Sequence, residues 1–145
     1  MIVYVESSAV ATWLLGEPAQ DLVLEHLRKA SRVVTSSLTA VECARAIQRG
    51  RVSGVLKATE SLALLRLLDE SQSTWDQHEL SEPILRRAAD SFPAEPIRTL
   101  DALHVATAMR FREIFPALAV LSLDERVRRN AAALGMTILP ESLPN

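Results

Sequence analysis

MIVYVESSAVATWLLGE, residues 1–17, reads as a strand that hands over to a helix through a single carboxylate. Ile2 to Val5 is a run of β-branched and aromatic residues and predicts a short strand. Ser7 to Leu15 predicts a helix that stops at Gly16. The stretch begins apolar but has no basic leader. Glu6 interrupts it long before the roughly 18 apolar residues a membrane span needs. A first β/α unit is therefore expected here, not a signal or an anchor, and no membrane partner.

The same alternation continues outward. After Pro18, the spacing of Leu22, Val23, Leu27 and Ala30 predicts a second helix, Arg32 to Thr35 a second strand, and Leu38 to Gln48 a third helix. Gly50 breaks that pattern, and Val52 to Leu68 predicts a long helix whose run from Leu62 to Leu68 is apolar almost all round. Ser73 to Gln77 reads as a short strand, Ser81 as a cap with Pro83 in the first turn behind it, and Phe92 to Pro96 as a loop. Thr99 to Phe111 predicts a helix, Leu118 to Ser122 a buried strand, Asp124 to Leu134 a helix ended by Gly135, and Met136 to Leu139 a last strand. Strands alternating with helices imply an α/β fold with a mostly parallel sheet and helices on both faces. Polar sites in such folds collect beyond the carboxyl ends of the strands.

Composition bounds the rest. A chain of 145 residues, 48% hydrophobic, has material for one packed core, so one domain over 1–145 is expected. Sixteen basic residues against eighteen acidic ones give a net charge of -2, so any basic surface for nucleic acid must be local. All the basic residues except Lys29 and Lys57 are arginine, the side chain suited to bidentate phosphate contacts, although codon bias gives the same excess. Cys43 is the sole cysteine. That excludes an internal disulfide and a cysteine-rich zinc site, and it fits a reducing, cytoplasmic setting.

Four acids fall on the same rim of the inferred sheet. Glu6 directly follows the first strand, and Asp124 follows the Leu118 to Ser122 strand by one residue. Glu42 and Asp101 lie near helix starts. Each has a plain alternative. Glu6 reads as a solvated strand-end charge and Asp124 as an N-cap. Thr39-Ala40-Val41-Glu42 fits a capping box, and Asp101 sits in a first turn that favours negative charge. Asp101 is nevertheless set among Leu100, Ala102, Leu103, Val105 and Ala106, which demands a partner for it. Carboxylates crowded on one rim repel one another, and a hard divalent cation relieves the crowding. Oxygen-only ligation favours Mg²⁺ or Mn²⁺ over zinc. Such a centre supports phosphodiester hydrolysis, with Ser122 and Ser7 as accessory hydroxyls and Ser8 as an ordinary turn residue.

In these residues the chain resembles the PIN domain family, and within it the VapC-type toxins of toxin–antitoxin pairs. The matching pieces are Val5-Glu6-Ser7-Ser8-Ala9, Thr39-Ala40-Val41-Glu42 with Arg45, Leu100-Asp101-Ala102-Leu103-His104-Val105-Ala106, and Ser122-Leu123-Asp124. The resemblance implies a three-layer α/β/α sandwich around a parallel sheet of four to five strands. It also implies Mg²⁺- or Mn²⁺-dependent ribonuclease activity on RNA, a homodimer, and a small cognate antitoxin. On the family pattern Glu6, Glu42, Asp101 and Asp124 are the metal-binding acids and Ser122 an accessory hydroxyl. Position 6 usually carries Asp in that pattern. The Glu found here is one methylene longer, at a kind of site that tolerates about 0.5 Å of misplacement. Metal binding with retained but reduced cleavage is the expectation.

His104 reads as a structural histidine on the Asp101 helix. Arg45, Arg49 and Arg51 are candidates for holding an RNA backbone or an antitoxin carboxylate, against a solvated helix face. Trp13 and the Leu62 to Leu68 run suggest an apolar groove, with core or dimer packing as the default. The leading function is a metal-dependent endoribonuclease. Its rivals are a catalytically silent PIN-like module that binds RNA or protein, and a DNA nuclease.

Overall fold

Val3, Tyr4 and Val5 of strand β1 (Ile2–Val5) are all buried, the mark of a strand covered on both faces. The structure is a computed structural model and describes residues 1–143. After β1 come α1 (Ser7–Leu15), α2 (Gln20–Lys29), β2 (Arg32–Ser36), α3 (Ser37–Val52), α4 (Ala58–Gln72) and β3 (Asp76–His78). They are followed by α5 (Glu82–Ala88), α6 (Thr99–Ile114), β4 (Ala119–Leu121), α7 (Glu125–Ala133) and β5 (Thr137–Leu139). The five strands form one sheet in the order β3-β2-β1-β4-β5, and every neighbouring pair is parallel. In register, Val3 lies between Val33 and Ala119, and Val5 faces Leu121.

Alternation along the strands sorts the core into two halves. Val3, Val5, Ala119 and Leu121 pack with Ala9, Val10, Val23, Ile47 and Leu68 from α1 to α4. Tyr4 and Val120 pack with Val105, Ala108 and Phe111 of α6 and Val127 and Ala131 of α7, while α5 leans on α6. The result is the expected three-layer α/β/α sandwich. The chain runs from β1 to β2 and β3 on one side, then crosses to β4 and β5 on the other. The order reverses between β1 and β4, which opens a crevice beyond their carboxyl ends.

Several boundaries differ from the expectation. The helix expected over 52–68 does not begin at Val52, which is the last residue of α3. A turn at Gly54, with φ of 80°, separates it from α4. Gly50 therefore does not break its helix. A Cβ there would stand 2.9 Å from Leu56 Cδ1, so this glycine admits the returning chain. The strand expected at Ser73 begins at Asp76, because Ser73 caps α4 and its amide still bonds Asp69. On α4 itself, Leu68 is buried and Leu64 and Leu65 are half-buried against the core, but Leu62 and Leu67 face outward. Trp13 is half-buried against Trp75, with ring centroids 6.5 Å apart. Among the described residues no helix is long and apolar enough to cross a membrane.

Candidate functional site

Glu6 follows β1 directly and is only 3% exposed, so the plain alternative of a solvated strand-end charge is not what the fold makes. It is the N-cap of α1. Its Oε1 accepts from the Ser8 amide at 3.0 Å and from Ser7 Oγ at 2.6 Å. Its Oε2 accepts from Ser122 Oγ at 2.7 Å and from Ser8 Oγ. Four donors thus replace the water lost on burial. Ser8, expected to be an ordinary turn residue, has a larger part. Its Oγ also accepts from the amides of Leu123 at 2.9 Å and Asp124 at 3.2 Å, which ties the start of α1 to the β4–α7 turn. Ser122 is fully buried, and its carbonyl is held by Arg128 Nη1 at 2.9 Å, which also bonds the Leu139 carbonyl.

Asp124 is the N-cap of α7, and its two oxygens have separate partners. Oδ1 accepts from the amides of Arg126 and Val127 at 2.8 and 3.2 Å. Oδ2 turns into the crevice and meets Arg98 Nη2 at 3.2 Å. The capping reading and the site reading therefore hold together. Asp124→Asn keeps a capping oxygen and is expected to melt near the parent, whereas Asp124→Ala should lose about 1 kcal/mol. Thermal melts of the two variants side by side check this.

Asp101, in the first turn of α6, is 8% exposed, and its Oδ2 accepts from Arg98 Nε at 3.0 Å. Burial raises its pKa, and Asp124 and Glu6 push the same way. Arg98 opposes them without cancelling the rise above the usual carboxylate range. The partner that the apolar setting demanded is thus Arg98, which the sequence reading did not single out. Its signal was present, since residues three apart at a helix start face each other.

Glu42 does not belong to a capping box. Helix α3 starts at Ser37 under Ser36, whose side chain accepts from the Leu38 amide, and Thr39 Oγ1 bonds Thr35 Oγ1 at 2.7 Å instead. Glu42 is left free to meet His104 Nε2 at 2.6 Å. His104 is buried, and its Nδ1 lies 2.8 Å from the Tyr4 hydroxyl. Burial, Glu6 and Glu42 all push the Tyr4 pKa up, so the phenol keeps its proton and can donate to Nδ1. Nε2 then carries the hydrogen that points at Glu42. Burial resists charging the imidazole, but the bond to Glu42 and the fields of Glu6, Glu42 and Asp101 prevail and raise its pKa. The structural reading of His104 thus acquires a specific content: it aims Glu42. Cys43 is buried, and burial with Glu42 and Glu6 pushes its thiol up to about 12, which leaves it without nucleophilic character at neutral pH.

All four acids line one cavity of about 230 Å³, together with Ser7, Ser8, Arg49 and Arg98. Arg45 and Arg51 are exposed on α3 and do not line it, so the three arginines grouped from sequence separate. Larger hollows lie elsewhere, beside Glu82, Arg86 and Asp90 (about 510 Å³), beside Asp90, Glu95 and Leu103 (about 440 Å³) and between Met1, Ile2 and Phe115 (about 610 Å³). None of these brings four acids together. The donor chemistry of the crevice, oxygen from carboxylates and hydroxyls, suits a hard divalent cation. Among the described residues, however, no three Asp, Glu, His or Cys side chains are already arranged to hold one ion. Hydroxyls take Glu6, His104 takes Glu42, and Arg98 takes Asp101 and Asp124.

The sequence profile of the PIN domain matches residues 3–133. The chain is 30% identical over 140 residues to Ribonuclease VapC35 of Mycobacterium tuberculosis, covering 95% of this chain and 96% of that protein. It is 31% identical to Ribonuclease VapC46 of the same species, covering 97% and 98%. Two solved structures share the fold at low identity. M. tuberculosis VapC20, described as a sarcin-ricin loop cleaving toxin, has a TM-score of 0.68 at 15% identity over 98% of this chain and 99% of that one. FitAB bound to a DNA fragment has a TM-score of 0.72 at 17% identity over 100% and 99%. A profile match over nearly the whole length, with its acids on the crevice where the strand order reverses, leaves one assignment: the chain belongs to the PIN domain family, alongside its VapC members.

Proposed function

We propose that this chain is a metal-dependent endoribonuclease and the toxin of a toxin–antitoxin pair. The observation that carries the reading is the convergence of Glu6, Glu42, Asp101 and Asp124 on one cavity at the β1/β4 crevice. Relatives that span nearly the whole chain are ribonucleases by name, which supports RNA as substrate. The four acids are the residues we assign to hold Mg²⁺ or Mn²⁺, which when bound supplies Lewis acidity at a phosphoryl oxygen and a more acidic water. The chain's own groups do the rest. The Glu6 carboxylate is immobilised by the hydroxyls of Ser7, Ser8 and Ser122, so its orientation is set before substrate arrives. His104, locked by Tyr4, fixes the direction of Glu42. Arg49 on the cavity wall holds a backbone phosphate of the RNA.

The partner is a small cognate antitoxin, a reading supported by the kinship in fold to FitAB and to VapBC2 of Rickettsia felis, the latter with a TM-score of 0.61. Residues 1–145 act as one domain and pair as a homodimer in the cytoplasm. The test is purified protein offered RNA and DNA with Mg²⁺ or Mn²⁺ and compared with Asp101→Asn. Cleavage of DNA alone, or RNA cleavage no different from the variant, sinks the proposal.

Glu6 supports a reduced rather than an absent activity. Its carboxylate is drawn back onto the Ser8 amide and three hydroxyls, one methylene longer than the usual Asp. Glu6→Asp is expected to cleave faster, by a few-fold up to about 10²-fold, since misplacement of about 1 Å is worth that much. Equal rates in the two proteins would remove the idea of impairment.

A further inference from the structure

Arg98 stands where a cation is needed. Its guanidinium spans two acids from different elements, with Nε on Asp101 Oδ2 of α6 and Nη2 on Asp124 Oδ2 at the head of α7. Asp124 has no second oxygen to offer, because its Oδ1 is consumed by the Arg126 and Val127 amides. Any ion that takes Asp124 in the crevice must therefore take the oxygen Arg98 now holds. Each of the other two acids has a partner from the protein as well, yet only Arg98 supplies a full positive charge on a flexible stem. Its side chain is 64% exposed while that of Asp101 is 11% exposed, so the arginine can withdraw into water and the carboxylate cannot. Together with the hydroxyls on Glu6 and His104 on Glu42, this leaves no ready-made metal cage among the described residues in a cavity with four acids on its wall.

We propose that Arg98 is an internal counter-ion that competes with the divalent metal for Asp124 Oδ2, so that metal engages Asp101 and Asp124 together only as the guanidinium leaves. The arrangement rests on the metal-binding reading above and adds regulation to the same centre. With metal absent, the fork bridges two crowded carboxylates, offsets one of their two negative charges and ties the head of α6 to the head of α7. A divalent ion would bring twice the charge to Asp124 Oδ2 and displace the guanidinium from it. The released guanidinium, anchored at the head of α6, then lies beside the cavity with no carboxylate to hold it.

The experiment is calorimetric titration of Mn²⁺ into the full chain without RNA, for the parent, Arg98→Gln and Arg98→Lys. Arg98→Gln removes the charge from an exposed position and is expected to bind Mn²⁺ about fivefold more tightly, the scale of one exposed ion pair. Arg98→Lys keeps a competing charge and is expected to fall between the two. Equal or weaker Mn²⁺ binding by Arg98→Gln overturns the competition while leaving the metal centre standing. Absence of Mn²⁺ binding in all three proteins overturns both the competition and the metal reading on which it rests.

Discussion

Asp101→Asn is expected to abolish RNA cleavage, with a loss on the order of 10²-fold or more, while the protein stays folded. Asn keeps the size of the side chain but removes the charge that would hold a metal. Changes to groups that merely support metal ligands already cost about 10- to 100-fold. Chelation of divalent ions should abolish parent activity equally, and added Mg²⁺ or Mn²⁺ should restore the parent but not the variant. Stability provides a second readout of opposite sign. The Asp101 pKa is raised, chiefly by burial, so the folded state holds the charged carboxylate less readily than the unfolded chain does. That penalty is present above the folded pKa and disappears as pH falls below the unfolded value of about 3.9. At pH 7 the variant should therefore melt no lower than the parent, and the difference should shrink toward acid pH. A variant that is inactive because it is unfolded would melt lower and contradict both parts.

The second large effect belongs to the core. Leu121→Ala should destabilise the protein by about 2–5 kcal/mol, the range for deleting a buried leucine side chain. Leu121 is fully buried on β4, between Val5 and Leu139 in register, and its carbonyl accepts from the Glu6 amide at 3.0 Å. Against a typical total of about 5–15 kcal/mol this is a large fraction of all stability. Urea unfolding measures it, with Leu62→Ala as the comparison. Leu62 is half exposed on the outer side of α4 and should change stability by no more than about 0.5 kcal/mol. An equal loss in the two variants would mean that the outer face of α4 is covered in solution.

Much of this architecture was legible because local pattern and fold agree. The run Ile2 to Val5, the stop at Gly16 after Ser7 to Leu15, and the apolar strand near Leu118 each carry their own signal, and their alternation is enough to imply a parallel sheet. The boundaries that differ are set by side-chain packing that pattern does not show. Gly50 has the look of a breaker, yet it lies inside α3 with Leu56 packed against it, and the capping-box alternative at Thr39 gives way because its hydroxyl bonds Thr35. The polar, three-residue β3 has a weak pattern of its own, and pairing with β2 is what makes it a strand.

By itself the sequence determined the fold class and placed four acids on one rim, because strand-end and helix-start positions follow from short-range periodicity. What only the tertiary structure decided is which atom faces which. Glu6 is saturated by hydroxyls from positions 7, 8 and 122, Glu42 is aimed by His104, and Asp101 shares Arg98 with Asp124. Those pairings join residues up to 116 positions apart. The bond from Ser122 to Glu6 exists because β1 and β4, remote in the chain, are neighbours in the sheet, and no local spacing encodes that adjacency.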